Sequence, residues 1–93
     1  MGNSKIKVGL IVDEFFGGAE TAYGGFGCLA RKYIAKYIPN EDITIDVLLG
    51  KGKNIFSAQH WVVDNVDVYR LPRNAVMASL WLLEKKYDVY LSI

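Results

Sequence analysis

The apolar positions in the first half of the chain predict a strand, a helix and a second strand. Residues 5–12 begin with alternating polar and apolar side chains and end as an aliphatic run, which is typical of a strand buried on both faces of a parallel sheet. In residues 21–38 the apolar side chains recur every three or four positions, so we predict one helix that becomes regular near Phe26. The predicted core-facing stripe comprises Ala22, Phe26, Leu29, Ala30, Tyr33, Ile34 and Tyr37. The β-branched segment 43–49, bounded by Gly50, is predicted to be the second strand.

The second half repeats this order after one ambiguous stretch. Residues 55–65 are compatible with a short helix or loop, which we favour, and with a hairpin that turns at Asp64 and Asn65. Residues 66–71 alternate and stop at Pro72, which predicts a third strand. Asn74 is a suitable N-cap for a second helix that runs to about residue 86, and residues 88–93 are predicted to form a fourth strand. The apolar surface of this helix comprises Val76, Met77, Leu80, Trp81, Leu82, Leu83 and Tyr87.

This alternation predicts an α/β fold, with a Rossmann-like, doubly wound parallel sheet and flanking helices. A length of 93 residues suffices for one domain only. Because the fourth strand is apolar and no helix follows it in this sequence, we expect the chain to be the amino-terminal part of a larger α/β protein. A degenerate stand-alone domain is the alternative. Because the helices that would cover the fourth strand are missing, its apolar face or edge is exposed, and we expect the isolated chain to self-associate.

Composition excludes several classes of protein. Eleven Lys and Arg against ten Asp and Glu give a net charge of +1, which disfavours a nucleic-acid-binding function. The single cysteine, Cys28, and the single histidine, His60, cannot supply an internal disulfide or a Cys/His zinc cluster, and we expect no metal. No apolar run reaches the roughly 20 residues of a membrane-spanning helix, so we expect no transmembrane segment and a location in the cytoplasm, free or peripheral at the membrane.

The segment after the first strand is the candidate binding loop. Ligands of open α/β sheets bind beyond the carboxyl ends of the strands, where helix amino-termini present free N–H groups. Glycines in this loop can approach a diphosphate closely, although a purely structural turn is the alternative. Two acids at the same rim could bind a substrate hydroxyl or act in catalysis, or could simply be solvated. The candidate site residues are Gly17, Gly18, Gly24, Gly25, Asp13 and Glu14.

The more specific motifs of nucleotide-binding and catalytic sites do not match this sequence. The run from Gly25 to Ala30 matches G-x-G-x-x-A but begins twelve residues after Asp13, and Gly50-Lys51 follows the second strand where a ribose-binding acid would be needed. Residues 50–54 also lack the spacing of a Walker loop. Lys51 and Lys53 could attract an anion or form a solvated loop. His60 could be a base or part of a sugar-stacking pair with its neighbour Trp61, or structural, and Cys28 is more consistent with a small core residue than with a nucleophile.

The order of the motifs resembles the amino-terminal, acceptor-side domain of GT-B glycosyltransferases of the group 1 type. The resemblance spans nearly the whole chain and rests on Gly17-Gly18-Ala19-Glu20 after the first strand, Leu29-Ala30 in the helix, Val66-Asp67-Val68-Tyr69-Arg70-Leu71-Pro72, Trp81-Leu82-Leu83-Glu84-Lys85-Lys86, and Tyr87-Asp88-Val89-Tyr90.

The resemblance implies two Rossmann-like domains that face a cleft, of which the amino-terminal one holds the acceptor and the carboxyl-terminal one most of the nucleotide-sugar donor. It implies transfer of a sugar to a glycan or lipid-linked acceptor, as in polysaccharide biosynthesis, without a cofactor. The glycine loop would lie against the donor phosphates, through either Gly17-Gly18 or Gly24-Gly25. The donor domain and the histidine that family members often carry near the fourth strand are absent from this sequence, so we expect no activity from these residues alone. A non-catalytic, nucleotide- or partner-binding α/β module is the alternative.

Overall fold

A computed structural model describes residues 5–50 and 52–93, so the candidate Lys51 lies outside the described residues. The strands are β1 (Ile6–Ile11), β2 (Ile43–Leu49), β3 (Gln59–Val63), β4 (Val66–Arg70) and β5 (Val89–Ser92). Helix α1 joins three consecutive segments, α-helical Gly25–Leu29, π-helical Ala30–Ile34 and α-helical Ala35–Tyr37; helix α2 is Ala75–Lys85. A 3₁₀ turn, Gly18–Glu20, lies between β1 and α1. The predicted α/β class is confirmed.

The five strands form one sheet in the order β3-β4-β2-β1-β5. β1 pairs in parallel with β2 and β5, and β2 pairs in parallel with β4, as predicted for the four strands. The chain leaves β1 towards β2 and β4 on one side, then crosses back through α2 to β5 on the other side. This arrangement is compatible with a Rossmann-like fold, in which the strand order reverses beside the first strand.

The short helix or loop that we favoured for residues 55–65 is wrong, because β3 forms an antiparallel hairpin with β4. Asp64 and Asn65 make its two-residue turn with φ values of 53° and 65°. Two consecutive positive φ angles suit the right-handed twist of a hairpin, and Asp and Asn tolerate them better than most residues. β3 contains only three consecutive apolar residues, Trp61 to Val63, which are too few for their periodicity to distinguish strand from helix, so the pairing with β4 decided its structure.

The main hydrophobic core lies between the sheet and α1. Leu10, Val47 and Val68 are fully buried on this face, and Ala30 and Ala35 of α1 belong to the same cluster. The two alanines are five positions apart and are joined by the π-type bond from Ala35 N–H to the Ala30 carbonyl, so both face the sheet. The predicted stripe is therefore partly wrong, since four of its large residues are exposed: Phe26, Leu29, Tyr33 and Tyr37.

Helix α2 lies on the opposite face of the sheet and is packed less deeply. Asn74 caps it as predicted, accepting hydrogen bonds from the N–H groups of Val76 (2.9 Å) and Met77 (3.1 Å). The Trp81 ring packs on Tyr69 of β4 with centroids 5.0 Å apart. Within this fully described helix no residue is buried, so the broad apolar surface predicted for it is only partly used. The exposed large apolar residues of α2 are Val76, Leu80 and Leu83.

Candidate functional site

The carboxyl ends of the parallel strands β1, β2, β4 and β5 lie at one edge of the sheet. Residues 12–24 follow β1 there, residues 50 and 52–58 follow β2, and residues 71–74 follow β4. The reversal of strand order beside β1 puts the glycine loop at the position where open α/β sheets bind ligands. The loop therefore occupies the position that the sequence predicted for it.

In the first half of this loop, backbone N–H groups donate hydrogen bonds to other groups of the same loop. Gly17 N–H donates to the Ala22 carbonyl and Gly18 N–H to the Phe15 carbonyl, both at 2.9 Å. The Thr21 hydroxyl accepts from Phe15 N–H and donates to the Gly18 carbonyl, each at 2.7 Å. The N–H groups of Gly17 and Gly18 are thus engaged within the loop and do not form an open cradle for an anion.

The same segment contains an unusual concentration of left-handed backbone. The φ values are 46° at Phe16, 81° at Gly17, 54° at Ala19 and 61° at Glu20. Only glycine adopts this region without a steric penalty, and such conformations tend to be retained at functional sites where the surroundings hold them in place. Here the Thr21 hydroxyl bridge and the burial of Ala19 hold the turn.

The four candidate glycines differ in what a side chain would meet. A Cβ on Gly17 would collide with the Tyr23 ring, and one on Gly18 would lie 3.0 Å from Val63. A Cβ on Gly24 would collide with the Glu14 carboxylate. Gly25 is the exception, because a Cβ there meets no heavy atom of the described residues within 4 Å. The positive φ of 81° accounts for Gly17 and close packing for Gly18, whereas a Cβ on Gly24 would displace only the end of the Glu14 side chain and Gly25 faces open space.

The two candidate acids have different environments. Asp13 is exposed, while Glu14 is half-buried and its side chain lies against Gly24 and Gly27 at the start of α1. The first N–H groups of a helix have no intrahelical partner and carry partial positive charge. The N-cap residue of this helix is Gly24, which makes no side-chain capping hydrogen bond. The Glu14 carboxylate is thus the anionic group of the chain that lies beside the amino-terminus of α1.

A small cleft of about 110 Å³ opens at this edge between the 3₁₀ turn, β3 and β4. Arg70, the last residue of β4, donates from Nη1 to the Gly50 carbonyl at 3.0 Å, which fixes its guanidinium over the end of β2. The sequence analysis did not select Arg70, although a cation at the carboxyl end of a parallel strand is a recognisable signal. The cleft is lined by Ala19, Glu20, Lys53, Gln59, Trp61 and Arg70.

His60 lies elsewhere, on the face of the sheet that α2 covers. Its Nε2 is 2.8 Å from Asp67 Oδ1, and its ring stacks on Tyr69 with centroids 4.6 Å apart. The adjacent Trp61 is on the opposite face, with the core, so the two rings do not form a joint sugar-stacking surface. Cys28 is a half-buried free thiol in α1.

A second, basic cleft of about 430 Å³ lies beside α1. Arg31 Nε donates to Asp64 Oδ2 at 2.8 Å and Nη1 donates to the Phe16 carbonyl at 3.0 Å, so this side chain joins the helix to the hairpin and the loop. The hydrogen bond from Arg31, with its charge, lowers the pKa of Asp64, and the pairing raises the pKa of Arg31. The cleft is lined by Phe16, Tyr23, Arg31, Lys32, Lys36 and Asp64.

Among residues 5–50 and 52–93, no group of three His, Cys, Asp or Glu side chains is arranged to hold a metal ion. In the same part of the chain, neither helix has the length and apolar content needed to cross a bilayer. Comparison of the chain with models of protein families, with curated proteins and with solved structures found no match.

Proposed function

We propose that this chain is the acceptor-side domain of a GT-B glycosyltransferase, which transfers a sugar from a nucleotide-sugar donor to a glycan or lipid-linked acceptor. The observation that carries the proposal is the order of the parallel strands, β4-β2-β1-β5, with the glycine-rich loop after β1 at the point of reversal. Nucleotides and related ligands of doubly wound sheets bind in this crevice. The family resemblance of the motif order supports the choice of a glycosyltransferase among proteins with such sheets.

Of the two glycine pairs that could face the donor phosphates, the geometry favours the second through Gly25, since the Glu14 carboxylate lies against Gly24. The N–H groups of Gly17 and Gly18 donate within the loop, whereas Gly25 begins α1 and has open space around it. Free N–H groups at a helix amino-terminus bind phosphate readily. In this proposal the Gly17-Gly18 pair builds the turn, and Gly25 permits the close approach of the donor.

Glu14 is the acid that we assign to the acceptor side. It follows β1, is half-buried and lies next to Gly24, so its carboxylate is held at the crevice. A carboxylate in this position can accept a hydrogen bond from an acceptor hydroxyl. Arg70 and Lys53, which line the small cleft at the same edge, supply positive charge near the acceptor or the departing phosphate.

The decisive variant is Gly25→Ala in the complete protein. The added methyl group meets no heavy atom of the described residues within 4 Å, and alanine loses less conformational entropy on folding than glycine, so stability should be unchanged or higher. If the backbone of Gly25 approaches the phosphates, turnover should nevertheless fall roughly a hundred- to a thousandfold. Sugar transfer and thermal unfolding are measured on the same preparations, with Ser79→Ala on the exposed side of α2 as the control.

Each outcome bears on the proposal. Normal turnover of a folded Gly25→Ala protein would show that Gly24-Gly25 does not contact the donor. Activity that declines only in parallel with stability supports a purely structural turn. The purified 93-residue chain should transfer no sugar, because the donor domain is needed, and measurable transfer by it would contradict the assignment. The proposal also requires the reading frame to encode a second Rossmann-like domain.

The alternative, a non-catalytic α/β module that binds a nucleotide or a partner protein, is favoured by one observation. The exposed face of α2 presents Val76, Leu80 and Leu83 at helical spacing, which is an apolar surface without a covering element among the described residues. A stop codon directly after Ile93, together with binding of a nucleotide or partner by the chain itself, would support this alternative.

A further inference from the structure

The small cleft between the 3₁₀ turn and the hairpin contains two cationic side chains. Arg70 is the last residue of β4, and Lys53 belongs to the loop after β2. Among the described residues, neither side chain forms an ion pair with a carboxylate. The positive charge of both is therefore available to a ligand.

The loop that contains Lys53 is held against the end of β4. Gly52 is buried, and a Cβ there would collide with the Leu71 carbonyl oxygen, so the two segments are in close contact. One residue after Lys53, the Asn54 carbonyl accepts a 2.8 Å hydrogen bond from Arg73 N–H. These contacts position Lys53 at the cleft before a ligand arrives, which reduces the entropic cost of binding.

Arg70 presents most of its guanidinium to the cleft. The bond from its Nη1 to the Gly50 carbonyl, at 3.0 Å, uses one of the five N–H donors of this group and fixes its orientation. The remaining donors form a planar fork that matches a carboxylate or a phosphate. Gln59 lies directly opposite Arg70 in the hairpin register and lines the same cleft with an amide group.

The cleft also contains a hydrogen-bond acceptor. Glu20 ends the 3₁₀ turn with a φ of 61°, and its exposed side chain lines the cleft beside the half-buried ring of Trp61. A carboxylate repels an anion but accepts hydrogen bonds from hydroxyl groups. Two cations and one carboxylate leave a net positive charge. A ligand with a negative group and a neighbouring hydroxyl satisfies both kinds of side chain.

The size of the cleft limits what it can hold. Its volume is about 110 Å³, whereas sites that enclose a complete small molecule have about 300–1,000 Å³. The cleft therefore admits one group of a ligand, and the rest of that ligand lies over the carboxyl edge of the sheet.

We propose that this cleft binds the anionic group of a sugar acid or a sugar phosphate. Arg70 and Lys53 hold the carboxylate or phosphate, and the Glu20 carboxylate accepts a hydrogen bond from a hydroxyl of the same ligand. Binding itself requires neither a donor domain nor catalysis. The identification of this ligand as the acceptor rests on the proposed function, and it makes the acceptor an acidic glycan or a phosphorylated sugar in place of a neutral one.

The test is a titration of the protein followed by two-dimensional NMR of the indole N–H groups. Trp61 lines the cleft, whereas Trp81 lies on the opposite face of the sheet and is an internal control. Trp81→Phe assigns the two signals. The probes are glucuronate, glucose 6-phosphate and neutral glucose at constant ionic strength. We expect a saturable shift of the Trp61 signal with one or both anionic probes and none with glucose, and the tighter of the two anionic probes identifies the source of the charge.

Two variants test the role of the cations. Lys53→Gln and Arg70→Gln should each weaken binding of the anionic probes roughly tenfold, since each removes a hydrogen bond to a charged group. The matched control is Lys5→Gln, an exposed lysine before the amino end of β1. Circular dichroism checks the fold of each variant. Because Arg70 also joins β4 to the end of β2, the exposed Lys53 decides the result if Arg70→Gln does not fold.

Glu20→Gln separates recognition of the hydroxyl from recognition of the charge. Inorganic phosphate has no sugar hydroxyl, so loss of the repelling carboxylate should strengthen its binding. The sugar ligand loses its hydrogen-bond acceptor at the same time, so its affinity relative to that of phosphate should fall. Glu41→Gln, at another exposed glutamate, should leave this ratio unchanged.

Several results would overturn the proposal. Absence of a Trp61 shift with both anionic probes would show that the cleft is not an anion site, and an equal shift with glucose would show that charge is not recognised. Equal losses in Lys53→Gln and Lys5→Gln would indicate general electrostatic attraction. Loss of anion binding would leave the sugar transfer of the proposed function to be judged by Gly25→Ala, whereas a missing donor domain would leave anion binding intact.

Discussion

The hydroxyl of Tyr87 donates a 2.7 Å hydrogen bond to Oδ2 of Asp46, 41 residues earlier in the chain. Asp46 lies in the middle of β2 on the face that α2 covers, and Tyr87 follows α2 directly. A carboxylate in the interior of a sheet needs a donor, because an unpaired buried charge is costly. This bond therefore connects the end of α2 to the centre of the sheet, where the helix is otherwise packed lightly.

Replacing Tyr87 by Phe should destabilise the protein by about 1–3 kcal/mol, since it leaves the half-buried Asp46 carboxylate without its donor. Urea unfolding measures the difference. The double variant Tyr87→Phe with Asp46→Leu removes both partners and should recover part of the loss. Equal stability of Tyr87→Phe and the unaltered protein would show that water satisfies Asp46.

Alkaline pH should lower the stability of the fold because of Tyr87. Burial, and after it the hydrogen bond to Asp46 and its charge, raise the pKa of Tyr87 above the ordinary value of about 10. The unfolded chain then loses this proton at a lower pH than the folded chain. The contribution of Tyr87 to stability is therefore complete below about pH 10 and declines as the pH rises above it. Unfolding monitored against pH, in the unaltered protein and in Tyr87→Phe, isolates this contribution; curves of identical shape above pH 10 would contradict it.

Gly27→Ala should destabilise the start of α1, in contrast to Gly25→Ala. A Cβ on Gly27 would lie 2.7 Å from the backbone nitrogen of Phe16 and 2.9 Å from Glu14 Cγ, so the loop or the helix must move. We expect a loss of about 1–3 kcal/mol for this overpacking. Thermal unfolding of the two variants makes the comparison, and equal midpoints would show that the loop yields without cost.

Two leucine-to-alanine substitutions should differ in their effect on stability because the two leucines differ in burial. Leu10 is 0% exposed in the core beneath α1, and Leu83 on the outer face of α2 is 72% exposed. Leu10→Ala should cost about 2–5 kcal/mol, whereas Leu83→Ala should change stability by no more than about 0.5 kcal/mol. Denaturant midpoints provide the measurement; a large loss for Leu83→Ala would indicate that an oligomer or a partner covers α2.

Self-association of the isolated chain should occur through β5. All four residues of this edge strand are exposed, and residues 89–93 contain neither a charge nor a proline, the usual means of protecting an edge. Light scattering at increasing protein concentration should detect dimers or larger species, which Leu91→Lys should diminish and Leu83→Lys should not. A stable monomer at high concentration would contradict this prediction.

The sequence by itself determined the elements whose signal lies within a few neighbouring residues. Strands β1, β2, β4 and β5, the start of α1 near Phe26 and the cap at Asn74 all follow from local periodicity and capping chemistry, and the parallel order followed from their alternation with helices. The glycine loop was also found from sequence, since its position after β1 is set by that alternation.

Only the tertiary structure decided the features that depend on residues distant in the chain. The hairpin of β3 depends on its register with β4, and the face that α1 buries depends on the π-helical segment, which brings Ala30 and Ala35 to the sheet and leaves Tyr33 outside. The same holds for the engagement of the Gly17 and Gly18 N–H groups, for Arg70 over Gly50 and for Tyr87 on Asp46. The physical reason is that periodicity shows which positions are apolar, whereas hydrogen bonds and close packing depend on which residues of other elements lie opposite those positions in the folded chain.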